Sequence, residues 1–285
     1  MRDTAAASSA PPVRGIALVP PLITAALFAA LYAPVVARLA AQWLNDPNYQ
    51  HGLAVPVVSA YILWRRRASL RAAEGPKAAF AGAVSMIAAA VLLVGGTAAS
   101  ELFTARLSLP IMLIGLLLVF KGTEFVRRAA FPLLFLFMMI PLPYIAYYKL
   151  TFPMQIMSAK LSALALRFMG IEVIRYGNIL ALPTYTLEVI AACSGLRSLM
   201  TMITLALVLC ALPGLSGRRK IVLAACSIPI AIAANTTRLL VTAIGAYAVS
   251  PAFADGTLHE ISGLIVFSSG FLLLLAVRGA LKWIR

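Results

Sequence analysis

Apolar stretches of membrane-crossing length, separated by short polar or basic breaks, run through almost the whole chain. A helix needs about 20 apolar residues to cross a hydrocarbon core. Residues 15–44 meet that length, with kinks expected at Pro20, Pro21 and Pro34. Residues 45–52 form a polar junction, Asn-Asp-Pro-Asn-Tyr-Gln-His-Gly. The apolar run 53–64 is short before it meets Arg65, Arg66 and Arg67, so a second span has to borrow junction residues. Residues 78–98 and 102–120 predict a third and a fourth span, joined by a tight turn at Ser100 and Glu101. A charged loop, 121–128, leads to a fifth span over 129–148 containing Pro132, Pro141 and Pro143.

Residues 149–190 break this pattern. The stretch 151–169 suits a helix but carries Gln155, Lys160 and Arg167, which predicts a helix lying in the interface. Residues 171–190 place Glu172, Arg175, Asn178 and Glu188 among β-branched and aromatic side chains around Pro183-Thr184-Tyr185, predicting a small extended or hairpin segment outside the bilayer. Three more apolar runs follow, at 195–212, 221–249 and 258–284. The pattern therefore predicts an all-α polytopic membrane protein of about eight transmembrane helices. A short outer-face segment precedes the sixth. Residues 1–14 are expected to be a cytoplasmic tail and residues 15–285 a single membrane domain.

Composition excludes a soluble domain: of 285 residues, 62% are hydrophobic and only 12% charged, with mean hydropathy +0.96. The net charge of +15 changes meaning in this setting. With the N-terminus inside, sixteen of the 24 basic residues fall on inner segments, whereas Asp46, Glu101, Glu172, Glu188, Asp255 and Glu260 gather outside. That is the positive-inside bias of a membrane protein with both termini cytoplasmic, and not a nucleic-acid surface. The first apolar run is too long for the core of a cleavable signal peptide. Three cysteines make no disulfide framework, and Cys210 and Cys226 sit within apolar runs as packing residues.

Candidate chemistry collects at the outer side. Residues 191–198 read Ala-Ala-Cys-Ser-Gly-Leu-Arg-Ser, placing Cys193 one helical turn before Arg197 where the sixth span begins. A neighbouring cation favours the thiolate, which is the nucleophile. Arg238 lies 17 residues beyond Ile221, the inner start of the seventh span, a climb of roughly 25 Å through a core about 30 Å thick. His259 stands at the outer head of the eighth. Taken singly, each has an ordinary explanation: a snorkelling Arg, a polar boundary His, an inert Cys. Together they reach one depth from three consecutive spans, and charges inside spans are costly enough to be functional as a rule. Asn235 shares a face with Arg238 and is placed to orient it or a substrate. Ser262, Gly263, Ser269 and Gly270 give the last helix a small-residue side for close approach. Arg175, Arg197, Glu188 and His51 complete the candidate substrate contacts. His259-Glu260-Ile261-Ser262-Gly263 has half of a zinc-protease motif without its second His, and Ser194 lacks a Gly-x-Ser-x-Gly context. No metal and no cofactor are expected.

The order of 191–198, then Ala-Asn-Thr-Thr-Arg at 234–238, then His259 with Gly263, resembles the exosortase/archaeosortase family. Residues 46–67, from Asp-Pro-Asn-Tyr-Gln-His-Gly-Leu-Ala-Val-Pro to Trp-Arg-Arg-Arg, are similar to that family's amino-terminal signature, with Gln50 where many members carry Ser. The resemblance implies a membrane cysteine transpeptidase in a bacterial inner membrane, its active site facing the periplasm. Its substrates would be exported proteins with a PEP-CTERM-like tail: a short Pro-Glu-Pro motif, one membrane helix and a basic end. The partners are then that sorting-signal helix and the lipid bilayer, with no nucleic acid. Cys193 matches the nucleophile that forms an acyl-thioester, Arg238 the proton donor and His259 the transition-state stabiliser. Physical chemistry favours the reverse for the last two, because an Arg pKa exceeds about 12 and makes a clamp of Arg238 and an acid–base group of His259. Two other classes stay open at this point. One is a transporter or channel with Arg238, Asn235 and Glu188 along a polar path; the other is a non-catalytic scaffold in envelope or exopolysaccharide assembly.

Overall fold

The computed structural model describes residues 19–73, 75–183, 185–188, 196–250, 253 and 257–283. Helix α1 (Val19–Asn45) is followed by α2 (His51–Arg65), the short α3 (Arg67–Arg71), then α4 (Ala79–Ala98) and α5 (Leu102–Lys121). A short α6 (Thr123–Arg128) and α7 (Ala130–Phe135), which runs on as a 3₁₀ turn over Leu136–Met139, lead to the long α8 (Tyr144–Phe168). Strands β1 (Ile174–Tyr176), β2 (Ile179–Ala181) and β3 (Thr186–Glu188) precede α9 (Leu196–Ala211), α10 (Gly217–Ala248) and α11 (Thr257–Trp283).

The helical, polytopic architecture is as the apolar pattern predicts; the count of eight spans is not. Five helices, α1, α4, α5, α10 and α11, are long and apolar enough to cross a membrane among the described residues. A sixth is reached only if α7 and α8 together count as one broken span. The basic triplet at 65–67 stops α2 at 15 residues, a length of about 22 Å against a core of about 30 Å. Helix α9 is likewise short, with 16 residues. The expected fifth span over 129–148 is not one helix. Pro-Leu-Pro at 141–143 removes two donors and biases the chain toward extended backbone, and the segments on either side meet at 85°.

Local sequence explains the junction after α1. The Asp46 carboxylate accepts from the Asn48 backbone N–H at 2.9 Å and from Asn48 Nδ2 at 3.0 Å, an Asx turn that reverses the chain. Trp43 lies against Gly52, where any side chain would collide with its indole, and donates from Nε1 to the Met139 carbonyl at 2.9 Å. The α4–α5 hairpin closes as expected at Ser100, whose φ is 55°. Glu101 caps α5, its carboxylate accepting from the Thr104 N–H at 2.6 Å and from the Phe103 N–H at 3.2 Å. A hydrogen bond from the Thr104 side chain first, and then these backbone N–H groups, hold the Glu101 carboxyl below its ordinary range.

Helix α8 begins at Tyr144, earlier than expected, and has three sides. Thr151, Gln155, Ser158 and Ser162 are buried, recurring at helical spacing along one of them. Gln155, one of the residues that predicted an interfacial helix, thus faces inward. Lys149, Lys160 and Arg167 fall on a single exposed line, and Leu150, Leu161, Leu164 and Phe168 form an exposed apolar flank beside it. The predicted extended segment is an antiparallel meander in the order β1-β2-β3. Its inward pair, Leu180 opposite Leu187, packs with Ala159, Ala163 and Leu166 of α8 and Leu239, Ala243 and Ala246 of α10. Cys210 and Cys226 lie in the α9–α10–α11 packing, as their apolar surroundings predict.

Candidate active site

The sheet is seated on the stretch of α10 that begins directly after Arg238, so its three strands and Arg238 occupy one end of the helical bundle. Strand β3 ends at Glu188, and the next described element is α9, from Leu196. Helix α9 packs into α10 through Leu199, Met202 and Ala231. Helix α11 covers both: a Cβ added at Gly270 would meet Met202 Cε at 2.8 Å and Ala234 Cβ at 3.5 Å. These three helices are therefore in mutual contact, with Gly270 of α11 facing both α9 and α10.

A second glycine sets the position of Arg238. A Cβ at Gly263 would lie 3.2 Å from Arg238 Nε, 3.3 Å from Cζ and 3.6 Å from Nη2. The half-buried guanidinium is laid against α11 at Gly263, where that helix presents bare backbone. Gly263 follows His259 by four residues, one turn along the same face, and His259 belongs to the first turn of α11. The guanidinium thus sits about 6 Å along the helix axis from the turn that carries His259. Cys193 lies outside the described residues, as does the His259 side chain.

The other candidates separate. Asn235 is turned to α8 and donates from Nδ2 to Ser158 Oγ at 3.0 Å; it is 2% exposed, and its Oδ1 finds no partner among the described residues. Its contact is with the buried side of α8, away from the glycine that receives Arg238. Arg175 donates from Nη1 to the Gly177 carbonyl at 2.6 Å and stiffens its own hairpin turn, where Gly177 has φ of 62°. Glu188 is exposed at the end of β3. Arg197 is exposed in the first turn of α9, its carbonyl accepting from Thr201 Oγ1 at 2.8 Å. His51 heads α2 in the amino-terminal half, beside Tyr49, and burial pushes its imidazole pKa down. Ser158 was not singled out from the sequence. The signal was present in the spacing of Thr151, Gln155, Ser158 and Ser162, which marks one face of a helix.

The sequence model of the transmembrane exosortases matches residues 43–276. The chain belongs to the transmembrane exosortase family. The match takes in the polar junction, the Cys193 segment, Arg238, His259 and Gly263. No curated protein matches the chain, and no solved structure matches it either. Exosortases are cysteine transpeptidases, so membership supports a membrane transpeptidase and sorting role for this multi-pass protein.

Proposed function

We propose that this exosortase cleaves the carboxy-terminal sorting signal of exported proteins through an acyl-thioester on Cys193, at the outer face of a bacterial inner membrane. The observation that carries the reading is the guanidinium of Arg238 laid on Gly263, one turn from His259, with the helix that follows Cys193 packed against the same two helices. The substrate's membrane helix docks sideways with its basic end inward, while α8 lies along the outer interface with its basic line toward headgroups. The Cys193 thiolate attacks the scissile carbonyl carbon, and the carbonyl electron pair becomes an oxyanion. Arg238 stabilises that charge; electrostatic help of this type is commonly worth about 3–4 kcal/mol. His259 delivers a proton to the leaving amine as the C–N bond breaks, giving the acyl-thioester. Water, an amine or a lipid headgroup then attacks the thioester, passes its proton to the now neutral His259 and releases the thiolate. The family's assignment of the proton to Arg238 is the competing allocation of the same two residues. Arg197 recognises the acidic residue of the sorting motif.

The experiment is mass spectrometry of a tailed substrate's new carboxy-terminus in cells carrying wild-type, Cys193→Ala or Cys193→Ser protein. Cleavage lost at normal membrane abundance supports the proposal; cleavage retained in Cys193→Ala sinks it. The 85° Pro-Leu-Pro break also suits a transporter, which predicts that Cys193→Ala is silent.

A further inference from the structure

Away from these helices, a groove of about 790 Å³ opens between α1 and the α4–α5 hairpin. Its walls are apolar, built from Leu31 and Val35 on one side and Leu93 and Val94 on the other, and its polar end carries Arg38 and Arg106. All three helices are of membrane-crossing length. Arg38 sits seven residues before the end of α1 and Arg106 four residues after the start of α5, depths of about 10 Å and 6 Å below one end of the bundle. Cations at such positions are expensive, and they stand on the side that the positive-inside bias leaves poor in them. Arg106 is 5% exposed and donates from Nη1 to the neutral Gln42 Oε1 at 2.7 Å. Among the described residues the salt bridges are those of Glu124 with Arg127 and Arg128, so neither cation of the groove has an acid pair. Glu101 acts on Arg106 electrostatically, but it lines the neighbouring cavity and its carboxylate is taken by the N–H groups that cap α5.

We propose that this groove binds one anionic phospholipid, its phosphate held by Arg38 and Arg106 and an acyl chain laid along the apolar walls. Two guanidinium groups at headgroup depth, above a lipid-facing apolar channel, match both halves of such a molecule. A soluble anion would match only one. The site is independent of the transpeptidase reading.

The test is native mass spectrometry of the full chain, delipidated in mild detergent and offered dioleoylphosphatidylglycerol. One lipid per chain is retained under activation that strips dioleoylphosphatidylcholine. Arg38→Gln weakens retention about tenfold, the scale of one charge-assisted hydrogen bond. Val94→Trp, at a position 69% exposed in the structure, fills the apolar half without touching the charge and also displaces the lipid. Equal retention of the two lipids overturns the assignment, as does full retention in either variant. Displacement by a roughly hundredfold excess of sn-glycerol 3-phosphate, a headgroup without chains, also overturns it in favour of a free organic phosphate.

Discussion

Gly263 offers the sharpest handle on the proposed chemistry, because it touches no reacting atom yet fixes the group that does. In Gly263→Ala the new Cβ meets Arg238 Nε at 3.2 Å and Cζ at 3.3 Å, so the guanidinium must yield by a few tenths of an ångström. Arg238 is long and able to do so, and alanine is the better helix former by about 1 kcal/mol. Gly263→Ala should therefore be no less stable than wild type, with a rate within about threefold, since a full ångström of misplacement costs about 10²-fold. Gly263→Leu places further carbons where the guanidinium lies and drives it off by more than about 1 Å, for a loss on the order of 10²-fold. The assay is the rate of tail removal from a purified substrate in proteoliposomes, normalised to folded enzyme. Arg238→Gln and the double variant close the cycle: if leucine acts only by displacing Arg238, the double variant is no slower than Arg238→Gln alone. Gly263→Leu at the wild-type rate with normal folding would refute the placement of Arg238 in catalysis.

Four further expectations follow from the structure. Arg238→Lys keeps the charge and should retain part of the activity that Arg238→Gln loses, the latter by about 10²–10³-fold; His259→Arg should remove one limb of the pH–rate profile if His259 carries the proton, and near-full activity with an unchanged profile would return that role to Arg238. Glu124, bonded to Arg127 at 2.8 Å and to Arg128 at 2.7 Å, has its carboxyl pulled down from 4.5 to about 2, chiefly by the hydrogen bond from Arg127. Any stability wild type holds over Glu124→Gln is thus fully present above about pH 4.5 and lost as the pH falls toward 2, which thermal denaturation in detergent across that window would follow. Ser158→Ala strands Asn235 Nδ2 in a buried seam and should lower stability by about 1 kcal/mol while leaving the pH–rate profile in place; a moved profile would tie Asn235 to the reacting groups.

Much of this arrangement was legible where the chain announces itself by chemistry. Ser100 and Glu101 mark the α4–α5 turn because two polar residues interrupt two long apolar runs. The extended segment was readable from β-branched and aromatic residues around Pro183-Thr184-Tyr185. The span count went astray where length and composition disagree. Arg65–Arg67 cut α2 short, and Pro141 with Pro143 split a run whose hydropathy alone looks continuous. Asn235 illustrates a different limit. Three residues is about 60° from a full turn, enough to send Asn235 to Ser158 and Arg238 to Gly263, and the sequence does not say which neighbour waits on either side. The Arg38–Arg106 groove was invisible for the same reason: its two cations are 68 positions apart and only the packing of α1 on α5 joins them.

Helix α8 answers to three neighbours at once, and each enforces its own rule on which substitutions survive. The hydroxyl and amide positions at 151, 155, 158 and 162 tolerate only groups that fit a tight interior and can still share a proton. Positions 150, 161, 164 and 168 accept any greasy side chain of moderate bulk. Positions 149 and 160 ask for a cation and little else, whereas Arg167 also donates from Nη2 to the Val173 carbonyl at 3.1 Å. A saturation library along this helix would resolve into three interleaved tracks, and a charge reversal at 149 or 160 would register as altered membrane seating without any change in fold.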